Sequence, residues 1–467
     1  MERSKKSHKP TPSSHEYTER RIQRQINQRT TVQQQLIAEK RGSLIVTPQY
    51  SNEINAIKNK IDSNEKKDAI IMLRCLLSIS DYSTINPVID AVINDEYVLG
   101  FIIDMLADSR NEVFQAEASW CITNIAAGNT SQTKSIISTT PLLINYLSSK
   151  NNILEEQCSW ALLNIANDNQ EYRDTLVAQG IINPLVKLFK SDISRVTVLN
   201  CCFLMMRLIE HNYTAFKSLI KYDIFNELKL KLIQYLDNIE KNKSTNNNNN
   251  NNNNNIDSNN SDNNVIIEIL WLLNDFLDYT EVFNWIIKEN YLDLFVCILD
   301  YNGTNSVELS RPVEIVTPLV RILGRIFSNA NLSYTISKSY TDQLLKIIHL
   351  LSIYIKSYKI MLKESIYLIG NIFALSQSIG GLTMSEIFFK EGYSVVLESF
   401  LEFDLDTLVE SMYLIHNLSI DDNQGQRVYI SNLLRAITSK HPLSSSLSGR
   451  LPEEIYNNLN ELLLANI

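Results

Sequence analysis

Glycine and proline are scarce, 12 and 10 residues in a chain of 467. A chain built on tight β-turns needs many more of both, so a turn-rich β architecture is excluded, as is an enzyme organised around glycine-rich phosphate loops. The six cysteines (Cys75, Cys121, Cys158, Cys201, Cys202 and Cys297) include no Cys-x-x-Cys pair. That removes zinc-ligand spacing and a disulfide framework, and points to a reducing compartment. The six histidines (His8, His15, His211, His349, His416 and His441) form no His-x-x-x-His pair, so no metal site is expected. A Ser-His-Asp context, a Walker sequence and a dinucleotide fingerprint are all missing, which predicts a protein that is not an enzyme and needs no cofactor. No run approaches ~18 uncharged apolar residues, so no membrane span is expected. Met1 to His15 is basic without an apolar core and does not read as a secretory signal.

What is present is apolar and helical. Apolar residues make up 44% and charged residues 20%, enough for a large buried core. Apolar positions recur at helical spacing in Val98–Leu106, Gln115–Ala127 and Thr140–Leu147, between short turns rich in Asn, Ser, Asp and Gly. Charge is divided unevenly. Met1–Arg41 holds ten Lys/Arg against four Asp/Glu, and the remainder 33 against 48, a tail of +6 on a body of −15. An acidic body attracts basic ligands and disfavours nucleic acid as its main partner. Two stretches are polar: residues 1–60, and residues 241–264 with ten consecutive asparagines, Asn246–Asn255. Neither holds enough apolar surface to offset ordering entropy, so both are expected to be disordered, the first at least in large part and the second as a loop.

The organising feature is a repeat. Glu117–Asn129 (EASWCITNIAAGN) returns as Glu156–Asn169 (EQCSWALLNIANDN), with Trp120 and Trp160 forty residues apart and an asparagine four residues after each, Asn124 and Asn164. Similar segments follow at Leu199–Glu210, Glu268–Tyr279, Leu319–Ser328, Lys363–Ala374 and Val409–Ile420, where Phe203, Trp271, Arg321, Tyr367 and Tyr413 take the tryptophan's place. The spacings of 43, 68, 50, 46 and 46 fit a three-helix solenoid once the asparagine-rich insertion is removed from the longest. The predicted fold is all-α: a right-handed armadillo-repeat solenoid of about eight to nine repeats over residues 61–465.

A tryptophan in a helical repeat is by default a packing residue. Two in phase, each with its asparagine, support a different use. Residues four apart on a helix share a face, so each pair sets an indole beside a carboxamide. Helices ~8–10 Å apart match about three residues of an extended peptide at ~3.3 Å each. Indoles offer slots for lysine and arginine stems, asparagine can clamp a peptide backbone, and nearby acids select cations.

Here a resemblance becomes specific. Ile85–Phe189, reading INPVIDAVI, ASWCITNIAAGNTSQT, EEQCSWALLNIANDNQEYRDTL and INPLVKLF, resembles importin-α, the armadillo adaptor of nuclear import. The likeness is strong over that stretch, weaker to about residue 430 and faint beyond. It implies a major site for lysine-rich nuclear localisation signals at Trp120, Asn124, Gly128, Thr133, Gln157, Trp160, Asn164, Asp168, Glu268 and Trp271. Gly128, Thr133 and Asp168 match the family's deep lysine pocket. A minor site is implied at Arg321, Glu364, Tyr367, Asn371, Glu410, Tyr413 and Asn417. The basic segment with Arg20, Arg21, Arg24, Arg29, Lys40 and Arg41 is similar in layout to the family's importin-β-binding helix, which would make importin-β a second partner and place the protein in cytoplasm and nucleus.

The departures shape the expectation. Phe203 and Arg207 replace a tryptophan and an asparagine, which adds a positive charge to the groove that Asp275 is placed to compensate in part. Arg325 replaces another asparagine, and tyrosines replace the minor-site tryptophans. The segment ERRIQRQINQRTTVQQQLIAEKRG is rich in glutamine. A working lysine pocket, a shortened major site and a weakened minor site are therefore expected. The alternative is an armadillo scaffold for a dedicated protein partner without a transport role; a third reading anchors the basic tail at a membrane surface.

Overall fold

The structure, a computed structural model, describes residues 50–78, 87–246, 253–300, 312–328, 346–351, 362–375, 405–419, 424–440 and 451–464. Among the described residues there is no strand. The chain forms two compact units that divide after Leu272.

In the first unit the order is α1 (Tyr50–Asp62), α2 (Lys66–Leu77), α3 (Pro87–Ile93), α4 (Glu96–Ala107), α5 (Glu112–Ala126), α6 (Thr130–Lys134), a short 3₁₀ turn, α7 (Thr140–Tyr146), α8 (Asn152–Asp168), α9 (Gln170–Ala178), α10 (Ile182–Lys190), α11 (Arg195–Ile209), α12 (Tyr213–Lys221), α13 (Ile224–Asn246) and α14 (Asn253–Phe276). The pattern is two shorter helices followed by a long one, repeated. The long helices α2, α5, α8 and α11 pack in sequence, each on the next. Their contact faces are the apolar positions foreseen from periodicity: Cys121, Ile122 and Ile125 of α5 and Leu162, Leu163 and Ile165 of α8 are fully buried.

Local sequence sets the helix starts. Asn111, Asn151 and Ser194 cap α5, α8 and α11, each accepting from backbone N–H groups of the first turn. Asn129, Asn169 and Asn212 do the same for α6, α9 and α12. Each such cap contributes ~1 kcal/mol and fixes where the turn ends. Three caps also reach back one repeat: Asn151 donates to Glu112 (2.7 Å), Ser194 to Glu156 (2.7 Å) and Asn212 to Asp174 (2.8 Å).

The second unit continues from the end of α14 through α15 (Val282–Lys288), α16 (Tyr291–Leu299), α17 (Val313–Phe327), α18 (Leu362–Leu375), α19 (Leu405–Ser419), α20 (Gln424–Lys440) and α21 (Glu453–Leu464). Helices α17, α18 and α19 stack in sequence, and α20 and α21 close against α19. The ring positions of all seven segments lie on one long helix each, α5, α8, α11, α14, α17, α18 and α19. The fold is an all-α solenoid.

Two boundaries differ from expectation. Helix α1 begins at Tyr50, because Ile54 and Ile57, three residues apart, are buried against the core. The asparagine-rich stretch is entered by helix from both sides, α13 running to Asn246 and α14 starting at Asn253; residues 247–252 lie outside the described residues. Asp262, inside that stretch, is fully buried and pairs with Arg195 of α11, so packing resumes before the tract's polar composition ends.

Candidate functional site

Gln157, Trp160, Asn164 and Asp168 stand at intervals of three, four and four along α8, which places them on one face. Asn164 donates from Nδ2 to the Thr123 carbonyl of α5 at 3.1 Å. Gln157 is buried, and its Oε1 has no hydrogen-bond partner. Asp168 is half-buried; Oδ1 accepts from the Thr130 hydroxyl at 2.6 Å, while Oδ2 has no partner. Burial, and after it the Asp168 charge, push the nearby Tyr172 phenol up from its ordinary range. One face of α8 therefore carries two acceptor oxygens withdrawn from water and unsatisfied. Such groups cost ~1–3 kcal/mol each, which a donor-bearing ligand would offset.

The neighbouring face of α5 carries Glu117, Trp120 and Asn124, and each has a partner on α2 or at its C-cap. Trp120 is half-buried and lies under the Arg74 guanidinium, whose Cζ is 4.5 Å from the ring centroid. Arg74 Nε donates to Glu117 Oε2 at 2.5 Å, and Asn124 Nδ2 donates to the hydroxyl of Ser78, just beyond α2, at 3.0 Å. Arg74, Ser78 and Thr130 are site residues that sequence reasoning missed. The signal was there for two of them: Arg74 and Ser78 stand four apart and 46 residues before Trp120 and Asn124, in the ring and amide positions of the preceding repeat.

Gly128 and Thr133 sit at the start of α6 and have local work. A Cβ on Gly128 would lie 2.1 Å from Gln132 Oε1, which accepts from the Asn129 backbone N–H in a capping box. Gln132 Nε2 donates to Asp90 at 2.7 Å. Thr133 is fully buried and its hydroxyl donates to the Asn129 carbonyl at 3.2 Å. Thr130, rather than Thr133, is the threonine that meets Asp168.

The ring ladder is more tightly packed than a set of standing slots. Trp160, Phe203, Trp271, Tyr367 and Tyr413 expose between 2% and 9% of their surface, and Glu268 is fully buried. Amides of the asparagine register tie α8 to α5, α18 to α17 and α19 to α18, a close approach that accompanies the burial of Trp160, Tyr367 and Tyr413. Arg207 does not leave the positive charge expected of it, because Nε donates to Asn167 Oδ1 (2.7 Å) and Nη1 to Glu210 (3.1 Å). Glu210, just past the end of α11, supplies a compensating carboxylate.

In the second unit, Arg321 pairs with Glu364 at 3.3 Å, so this acid already holds a cation of its own chain. Asn371 donates to the Gly324 carbonyl (3.2 Å) and Asn417 to that of Gly370 (3.0 Å). Arg325 reaches the Asn274 carbonyl (2.6 Å) and Asp278 (2.6 Å). The side chain of Glu410, and Arg20, Arg21, Arg24, Arg29, Lys40 and Arg41, lie outside the described residues. Among the described residues no group of His, Cys, Asp and Glu is placed to hold a metal, and no helix is long and apolar enough to cross a membrane.

Among solved structures, an engineered protein from a structural genomics programme superposes with a TM-score of 0.56 at 16% identity, covering 88% of this chain and 90% of that one. With two short helices and one long helix per repeat, that likeness decides the fold. It is an armadillo-repeat solenoid. The sequence is similar to importin subunit alpha-3 of Arabidopsis thaliana, 36% identical over 133 residues, 28% of this chain and 24% of that protein. It is also similar to importin subunit alpha-9 of the same plant, 23% identical over 343 residues, 71% of this chain and 58% of that protein. The armadillo-repeat chain thus spans less than two thirds of these relatives' length. No family model matches it.

Proposed function

We propose that this armadillo-repeat protein is an adaptor that holds extended lysine- and arginine-rich peptides, of the nuclear localisation type, against the faces of α5 and α8. The observation that carries the reading is the pair of unsatisfied acceptors on α8, Gln157 Oε1 and Asp168 Oδ2, flanking Trp160 and Asn164. Acceptors call for donors, and an extended basic peptide brings backbone N–H groups and ammonium or guanidinium groups together. The body's excess of carboxylates favours the same ligand. The similarity to importin subunits alpha supports import as the setting, with importin-β docking on the segment Arg20–Arg41 and the protein moving between cytoplasm and nucleus.

The test is an anisotropy titration of a labelled lysine-rich localisation peptide against the full chain and its Asp168→Lys variant. Affinity near 10 μM or tighter, weakened about tenfold or more by the variant, supports the reading. Affinity no better than ~1 mM, or no loss in Asp168→Lys, overturns it.

A second reading has its own observation. Part of the predicted ligand machinery is spent within the chain, in Arg321–Glu364 and the buried Glu268, which suits a scaffold for one dedicated protein partner. Capture of importin-β from an extract, lost when Arg20, Arg21, Arg24 and Arg29 become glutamate, favours transport. A single stoichiometric other protein without importin-β favours the scaffold.

A further inference from the structure

The slot at Trp120 already has an occupant. Arg74 lies over the indole with Cζ 4.5 Å from its centroid, and the same guanidinium is bonded to Glu117 at 2.5 Å. Arg74 and Glu117 side chains are only 17% and 21% exposed, so both contacts are sheltered from water. Glu117 stands three residues before Trp120. The second unit repeats the construction: Arg321, in the ring position of α17, pairs with Glu364, three residues before the ring position Tyr367 of α18. An arginine in one repeat's ring position thus holds the acid ahead of the next repeat's ring in both units, once in each among the described residues.

We propose that Arg74 is a specificity-determining residue, a built-in cation that fills the Trp120–Glu117 slot and sets the register of basic peptides on the α8 face. This rests on the peptide-binding reading above. An incoming cation reaches Trp120 only by displacing a guanidinium that already has the ring, worth ~0.5–2 kcal/mol, and a charge-assisted bond. Lysine is poorly placed to do so, because its ammonium is more strongly hydrated and cannot stack on the indole as the planar guanidinium does. Basic side chains are therefore directed past Trp120 to the Trp160 face of α8, where Gln157 Oε1 and Asp168 Oδ2 have no partner.

The experiment is the same peptide titration on the full chain carrying Arg74→Ala. Arg74→Gln keeps part of the stem over the indole should the alanine variant melt early, and circular dichroism verifies the fold of each. Arg110→Gln removes the same charge from a side chain that is 89% exposed and controls for bulk electrostatics. The expected result is about tenfold tighter binding in the Arg74 variants, absent in Arg110→Gln and abolished by adding Trp120→Ala. Binding by an Arg74 variant alone, with none by the wild type, also supports the proposal. Wild-type binding that depends on Asp168 but does not tighten on Arg74 replacement, or tightens equally in Arg110→Gln, overturns it and leaves the peptide reading standing. No binding by any of these chains overturns both.

Discussion

Asn371 donates its side-chain amide to the backbone carbonyl of Gly324 at 3.2 Å, across 47 residues of sequence. Gly324 is the residue before Arg325, which occupies the asparagine register of its own helix and reaches back to the carbonyl of Asn274. Asn417 to Gly370 and, in the first unit, Asn164 to Thr123 follow the same rule: the donor in one repeat meets the carbonyl one residue before its counterpart in the previous repeat. The register asparagine is therefore a stacking device, whatever else it contacts. Each bond contributes ~1 kcal/mol net, since the carbonyl keeps its helical partner, Ser328 N in the case of Gly324. Asn371→Ala should raise amide exchange in α17 and α18 by about fivefold, on the order of 1 kcal/mol of local stability, while leaving α5 and α8 unchanged. A uniform change across both units would contradict a local clamp.

Gly324 has a second duty that its carbonyl does not reveal. A Cβ there would lie 2.5 Å from the ring of Tyr367. The ring is buried, so Gly324→Ala forces it off its rotamer and should cost about 1–3 kcal/mol, read as a lowered midpoint in urea. Combining it with Tyr367→Leu, which removes the ring, should recover part of that loss. Double-mutant additivity would argue against the contact.

The repeat itself was legible because its signals are local. Trp120 with Asn124 and Trp160 with Asn164 give the period, and cap residues such as Asn111, Asn151 and Asn212 punctuate it. The destination of a donor is not local. Sequence shows that Asn164 owns an amide, but whether it meets a ligand or Thr123 depends on how closely α8 approaches α5. Ring exposure depends on the same spacing, which is why Trp160 and Tyr367 are more deeply set than their register suggests. Arg74 escaped notice because its residue type breaks the ring pattern, although its position keeps it. Arg207 was misjudged because its neutralising partner, Glu210, lies three residues along the chain, beyond the helix end.

Glu155 makes stability depend on pH. Burial pushes its carboxyl up, and the backbone N–H of Lys150, bonded at 2.8 Å, pulls it only part of the way back. With the folded value above the unfolded one, the native chain binds the extra proton in the interval between them. Stability contributed by this group is present below that interval and falls as pH rises through it. Glu155→Gln keeps an oxygen for Lys150 and carries no charge, so it should raise the melting temperature at pH 7. The gain should shrink as pH falls below the ordinary carboxylate range, where the carboxyl is protonated in both states, and a gain undiminished there would refute burial of charge as the cause.

The cysteines allow a test of packing that needs no ligand. Cys121, Cys158 and Cys201 are fully buried, and burial pushes each thiol far above its ordinary range, so almost no thiolate is available. Cys202 is buried beside them. Cys75 is half-buried on α2, and Cys297 on α16 is exposed. Reactivity follows thiolate fraction and access together. Ellman's reagent at pH 8 should therefore find one fast thiol in the native chain, abolished by Cys297→Ser, then a slower one from Cys75. The other four should react only in denaturant. Three or more thiols reacting in the native state would mean that the stack of α5, α8 and α11 opens far more readily than its buried contacts allow.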